Sequence, residues 1–196
     1  MTDRRAFVPI VAGIVIATLC AWRIATNRPQ TYEDQVSVAV MLRPAPGFEA
    51  RDVDNHLVRL AAFLGRHKII VLFFDGEAGA DKDPDLLRLR DRYGELHALD
   101  VKVIAISAAL PQQNRLATRD LGKFPFPLVS DVDPLNPAEV WRIHRTWGRL
   151  DSKTGKPQTG VFYVDRTGLV LFTPEGPKPM ADVDEAIDAA KKSGGN

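Results

Sequence analysis

KIIVLFFDGEAGADKDPDLLRLRDRYGELH, residues 68–97, carries the strongest secondary-structure signals of the chain. Its apolar run at 69–74 is typical of a strand that is buried on both faces. An acidic loop with two glycines follows, and the pair Asp83-Pro84 then places an N-cap residue before a proline at the first helical position. We therefore expect a strand, a loop and a helix over 84–96. Ligands of α/β proteins bind at such junctions, which makes this loop the candidate site.

Strands and helices alternate along the rest of the domain. Further strands are predicted at 101–107, 126–131, 160–165 and 169–172, and helices at 111–121, 138–147 and 180–192, after a hairpin at 48–60. The last two strands flank a turn at 165–168 and are expected to pair with each other as a hairpin. This order predicts an α/β fold, a three-layer sandwich with a mixed central sheet.

The front of the chain is apolar. Residues 6–22 contain no charged side chain, and their length of about 17 residues is at the short limit for a membrane-spanning helix. We predict an uncleaved signal anchor that holds the protein in a membrane, with a cleaved signal peptide as the alternative, and a domain outside the cytoplasm. The predicted organisation is a transmembrane helix at 1–25, a linker at 26–43 with an extra edge strand at 36–42, the domain at 44–192 and a flexible tail at 193–196.

The composition excludes several classes of site. Cys20 is the one cysteine of the chain and falls inside the apolar run, so an intrachain disulfide, a CxxC redox pair and a CxxC-type zinc site are excluded. The net charge is +1 and no long basic block occurs, which argues against a nucleic-acid partner. The sequence also has no glycine-rich phosphate loop and indicates no cofactor.

Several phrases of the domain carry a family resemblance through their order and spacing. They are the segments 44–54, 71–74, 89–93, 103–107, 124–131 and 162–168. Together they resemble the peroxiredoxins of the alkyl hydroperoxide reductase/thiol-specific antioxidant family, within the thioredoxin-like superfamily. The resemblance covers about 44–188, and it implies a thioredoxin-like, peroxiredoxin-type fold and a family chemistry of thiol-dependent peroxide reduction.

The candidate site departs from that family. The resemblance implies a Pro-x-x-x-Thr/Ser-x-x-Cys motif between 75 and 83, with its cysteine near Lys82 or Asp83, and an arginine at about Thr159; none of these residues is present. Peroxide reduction needs a thiolate that becomes a sulfenic acid, and a carboxylate cannot be oxidised in this way. We therefore interpret Lys82, Asp83 and Thr159 as degenerate active-site positions.

Asp83 has two compatible interpretations. It is an ordinary N-cap that contributes about 1 kcal/mol, or it also places a permanent carboxylate where the relatives hold a thiolate, at the positive end of the helix. Neither restores redox chemistry.

The acidic loop is also a candidate ligand loop, with Asp75, Glu77, Asp81 and Asp83 as its carboxylates. The positions that an EF-hand loop reserves for glycine and glutamate hold Ala80 and Leu86, so a solvated acidic loop is preferred and no metal is predicted. The four histidines are far apart and are interpreted as surface or helix-face residues.

Three functions follow from these features. The preferred one is a non-catalytic relative, a membrane-tethered fold retained to bind a protein partner or a small ligand. The second is thiol-redox or antioxidant work through a partner's cysteine, as the family would imply. The third is a structural or cation-stabilised domain.

Overall fold

The computed structural model describes residues 40–119, 121–132 and 140–193. Within these ranges the strands are β1 Met41–Pro44, β2 Glu49–Arg51, β3 Leu57–Arg59, β4 Lys68–Phe74, β5 Val101–Ser107, β6 Leu128–Ser130, β7 Gly160–Val164, β8 Leu169–Thr173 and β9 Gly176–Pro177. The helices are α1 Pro84–Asp91, α2 Tyr93–Ala98, α3 Pro111–Ala117, α4 Arg142–Thr146 and α5 Val183–Lys192, with a short 3-10 helix at Leu60–Ala62. The predicted anchor at 6–22 lies outside the described ranges.

The central sheet has the strand order β6-β5-β4-β7. Strands β4, β5 and β6 run parallel, whereas β7 is antiparallel to β4. All seven residues of β4 are buried, as its uninterrupted apolar run predicts for a strand with neighbours on both sides. The predicted mixed sheet is therefore confirmed, with the candidate loop at the carboxyl end of its central strand.

Side chains of β4 alternate between two apolar clusters, one on each face of the sheet. Ile70, Leu72 and Phe74 pack with residues of α1, α2 and α5. Ile69, Val71 and Phe73 pack on the other face, where the largest fully buried side chain is Trp147. The two clusters give the three layers that the alternation of elements predicted.

The predicted helix over 84–96 begins at Pro84 but is divided at Arg92. That residue adopts φ −97° and ψ 9°, the sparsely allowed bridge region, and it separates α1 from α2. Its guanidinium pairs with Glu95 on α2 and with Asp184 on α5. The bend thus fastens the helix pair to the last helix, and Gly94, a weak helix former, lies just after it.

The prediction that 160–165 and 169–172 pair as a hairpin is wrong. The turn forms, with the Gly168 amide donating to the Asp165 carbonyl at 3.0 Å and Gly168 at φ 85°. Strand β8, however, does not join the central sheet and pairs instead with β1 and β9. Burial explains this course, because Val170 packs into the cluster around Trp147, while Met180 bonds to the free edge of β7 at Val161.

Several boundaries also differ from the sequence-based expectation. Strand β1 begins at Met41, within the segment predicted as a linker with an edge strand. Helix α3 ends at Ala117 and not at 121. Of the helix predicted at 138–147, residues 138 and 139 lie outside the described ranges, and the rest is found as Arg142–Thr146, preceded by Trp141 in a left-handed conformation. In the ranges described, no helix combines the length and apolarity needed to cross a bilayer.

Candidate functional site

A cleft of about 1090 Å³ lies at the carboxyl ends of β4 and β5. The loop after β4 forms one wall, the loop after β5 forms the floor together with part of α3, and side chains between 141 and 159 form a second wall. Gly76 and Ala109 hold wall and floor together, since a Cβ on Gly76 would lie 2.5 Å from the Ala109 Cβ and 2.9 Å from its backbone nitrogen. The sequence predicted this place for a site because strand ends and loops meet there.

Asp83 connects the two ends of the loop after β4 through hydrogen bonds. The residue is 7% exposed, and its Oδ1 accepts a hydrogen bond from the Leu86 amide at 2.9 Å, which confirms the predicted N-cap. Its Oδ2 accepts from the Asp75 amide at 3.3 Å. One carboxylate therefore fixes both the start of α1 and the end of β4.

Replacing Asp83 with alanine is expected to lower the free energy of unfolding by about 2 kcal/mol, because two buried or half-buried amides lose their acceptor. Asp83→Ser should keep most of the stability, since a hydroxyl still caps Leu86. Chemical denaturation followed by tryptophan fluorescence measures both. The matched control is Asp85→Ala in the same turn, which should cost less than about 1 kcal/mol. Equal losses in the alanine and serine variants at Asp83 would contradict the capping role.

The other residues of the candidate ligand loop take different positions. Asp75, Glu77 and Asp81 line the cleft, whereas Lys82 is exposed and is not among the lining residues. Asp75 Oδ1 accepts from the Glu77 and Ala78 amides, at 2.9 and 3.4 Å, so it shapes the loop. Burial, and then the nearby charge of Asp83, raises the pKa of Asp85 above its ordinary value.

Among the described residues, three potential metal ligands come close together at a different place. Asp52, Asp54 and His56, on the turn between β2 and β3, have ligand atoms within 4.8 Å of one another. Lys123 already pairs with Asp54 there, at 2.5 Å. The loop at 75–83 forms no comparable group among the residues that the structure covers.

An arginine lies beside Thr159, although the sequence has none at that position. Arg149 Nη2 donates to the Thr159 carbonyl at 2.5 Å. Its guanidinium rests against Gly160, where a Cβ would lie 3.1 Å from the Arg149 Nε. Burial lowers the pKa of Arg149 below its ordinary value. Arg149 comes from the loop after α4, ten residues before Thr159, and no local sequence signal connects the two.

A buried carboxylate–imidazole pair also borders the cleft. Asp131 Oδ2 lies 2.7 Å from the His144 Nδ1, and the two side chains are 5% and 1% exposed. The carboxylate also accepts from the Ile143 amide at 3.0 Å and the His144 amide at 2.7 Å, so it caps α4. His144 is on a helix face, as the sequence predicted, but on the buried side, with its ring 4.9 Å from that of Phe73.

Together these groups define what the cleft can do. It offers two cations, Lys156 and the partly buried Arg149, an imidazole held by a carboxylate, and acidic groups on the loop after β4. The one sulfhydryl of the chain, Cys20, is at the front and outside the described residues. Such a set can bind and orient a ligand, whereas oxidation and resolution of a thiol need groups that 40–196 does not contain.

Comparisons with known proteins agree on one fold. The sequence profile described as the AhpC/TSA family matches residues 41–173. Alkyl hydroperoxide reductase E of Mycobacterium tuberculosis is 30% identical over 128 residues, which cover 65% of this chain and 80% of that protein. The mitochondrial 2-Cys peroxiredoxin from Plasmodium falciparum has a TM-score of 0.55 at 18% identity, over 76% of this chain and 91% of that chain. Thiol peroxidase from Chromobacterium violaceum has a TM-score of 0.54 at 20% identity, over 79% and 87%.

Proposed function

This chain belongs to the AhpC/TSA family, and on that premise we propose that it is a binding or accessory module of peroxiredoxin type without thiol peroxidase activity of its own. The observation that carries the proposal is Asp83, a buried carboxylate that caps α1 where the family resemblance implies a cysteine nearby. A thiolate there would act as nucleophile, favoured by the helix N-terminus. The Asp83 carboxylate instead stabilises the start of α1, because it accepts a hydrogen bond from the Leu86 amide.

The cleft supports binding in place of catalysis. Its volume of about 1090 Å³ is close to the upper end for small-molecule sites, and polar and charged side chains surround an apolar patch of Ala108, Ala109 and Leu116. Arg149 supplies a cation close to Thr159, where the resemblance implies one. The domain thus has a cleft with a cation beside Thr159, whereas residues 40–196 contain no sulfhydryl.

The peroxide assay tests this function directly. The full-length chain is supplied with dithiothreitol or with thioredoxin and its reductase. It is expected to consume hydrogen peroxide no faster than the same mixture of buffer and reductant without the protein. Cys20→Ser is the matched control, because it removes the only sulfhydryl of the chain. Consumption at a peroxidase-like rate by the unaltered chain would overturn the proposal, and its loss in Cys20→Ser would assign the activity to that residue.

We also propose that residues 6–22 tether the domain to a membrane, with the domain outside the cytoplasm. The support is the uncharged apolar run between flanking arginines. After cell fractionation the protein should stay in the membrane pellet through an alkaline carbonate wash. Recovery of the intact chain in the supernatant would contradict the tether.

A further inference from the structure

Two buried nitrogen donors of the cleft have no acceptor. Among the described residues, the Nε1 of Trp141 and the Nε of Arg149 are both buried and make no hydrogen bond. Both residues line the cleft. Buried N–H groups are almost always paired in native proteins, and each unpaired one costs about 1–3 kcal/mol. Two of them in one wall indicate that an acceptor belongs there.

The backbone around these donors is held in position. Trp141 has φ 57° and ψ 35°, a left-handed conformation that is uncommon for a residue with a bulky side chain. Its amide donates to the Asp131 carbonyl at 3.0 Å, which fixes it to the end of β6. Strained residues that the surrounding structure holds in place occur preferentially at ligand sites. Arg149 is held by its hydrogen bond to the Thr159 carbonyl. Its guanidinium also packs against Gly160, in space that a Cβ would fill.

The charges of the cleft select the kind of acceptor. Within the described ranges Arg149 forms no ion pair, although half-burial makes its charge costly and lowers its pKa. An anion would compensate that charge through a charge-assisted hydrogen bond. The lining also carries the carboxylates of Asp75, Glu77 and Asp81 and a second cation, Lys156, so that three carboxylates stand against two cations. These carboxylates repel an ion of multiple negative charge more than one of single charge.

We propose that the cleft binds a small organic monocarboxylate, whose oxygens accept from the guanidinium of Arg149 and the indole N–H of Trp141. The apolar part of the ligand lies on Ala108, Ala109 and Leu116, the last of which exposes 69% of its surface. This inference rests on the proposed function, since it names the ligand class of the binding module. A planar carboxylate suits a guanidinium and an indole N–H because each directs its protons in fixed positions.

Nuclear magnetic resonance of the ¹⁵N-labelled full-length chain can test the site with sodium propionate. The chain has three indole N–H groups, at Trp22, Trp141 and Trp147. Propionate should shift the Trp141 indole signal and the Arg149 Nε–H signal with saturation at millimolar concentration, of the order expected for so small a ligand. The Trp147 indole already donates to the Pro46 carbonyl at 3.1 Å and should not move.

Variants and other ions define the remaining outcomes. Arg149→Lys should weaken propionate binding about tenfold or more, because the fork of donors is lost. Arg145→Lys, an exposed arginine on α4 outside the cleft, should leave it unchanged. If Arg149→Lys does not fold, Trp141→Phe takes its place, with the Arg149 signal as readout. Lack of saturation, equal shifts at all three indoles, unchanged binding in Arg149→Lys or in Trp141→Phe, or phosphate binding at least as tightly as propionate would overturn the inference.

The two proposals fail separately. Propionate binding without peroxide turnover supports both. Peroxide turnover by the unaltered chain overturns the proposed function whatever propionate does, whereas absence of binding in a chain without turnover overturns only the carboxylate site.

Discussion

Asp131→Ala is expected to lower the free energy of unfolding by about 3–4 kcal/mol. This loss is larger than the one expected for Asp83→Ala. Three donors lose one acceptor: the Ile143 amide, the His144 amide and the His144 Nδ1. All three are buried, so water replaces the carboxylate only if the structure opens. The loss would take a large part of the 5–15 kcal/mol that is usual for a domain.

A graded series shows whether the pairing with His144 contributes. Asp131→Asn keeps an acceptor oxygen and should lose about half as much as Asp131→Ala. Asp182 is the matched control, because its side chain caps α5 through the Glu185 amide alone, at 2.8 Å; Asp182→Ala should cost about 1 kcal/mol. Urea unfolding at neutral pH compares the three. If Asp131→Ala and Asp182→Ala lose the same stability, Asp131 is a cap and nothing more.

Trp147→Ala is the second substitution with a large expected effect, about 3–5 kcal/mol. The side chain is completely buried, and its ring centroid lies 5.0 Å from that of Phe162 and 5.9 Å from that of Phe73. Removing it opens a cavity in the layer beneath β4 and leaves the Pro46 carbonyl without its donor. Packing on that face cannot close around so large a volume without moving the strand.

Trp147→Phe separates the hydrogen bond from the packing. Phenylalanine keeps most of the aromatic contacts, so the loss should fall to about 1–2 kcal/mol. Calorimetric or denaturant unfolding provides the measurement, with far-ultraviolet circular dichroism to confirm that the variants fold. A loss below about 1 kcal/mol for Trp147→Ala would show that this cluster does not support the sheet as described.

The parts of the fold that depend on neighbours in sequence were predictable. The apolar run at 69–74 predicted β4 as a fully buried strand, and Asp83-Pro84 predicted the start of α1. Both signals act within a few residues, since burial on both faces removes alternation and capping needs only the next turn of helix. The helix break at Arg92 was not predictable in this way, because its guanidinium binds Asp184 on the last helix.

The wall of the cleft formed by 141–159 depends on contacts between distant parts of the chain. Arg149 reaches Thr159 from another loop, and the departure of β8 from β7 follows from burial on the second face of the sheet. Asp131 is different, because a signal for it was present. It follows β6 directly, and the carboxyl ends of parallel strands meet at one edge, so Asp131 and Asp75 could have been placed on the same side of the sheet.

Strand β1 has a consequence for how the domain opens. Its four residues are all exposed, and within the described part of the chain its ladder joins only β8, whereas β4 is buried throughout and bonded on both sides. Amide protons of Met41 to Arg43 should therefore exchange with solvent deuterium through local fraying, long before those of β4, which exchange only when the whole domain unfolds. The first residues of the domain can thus come loose and pair again while the cleft at the other end of β4 keeps its shape.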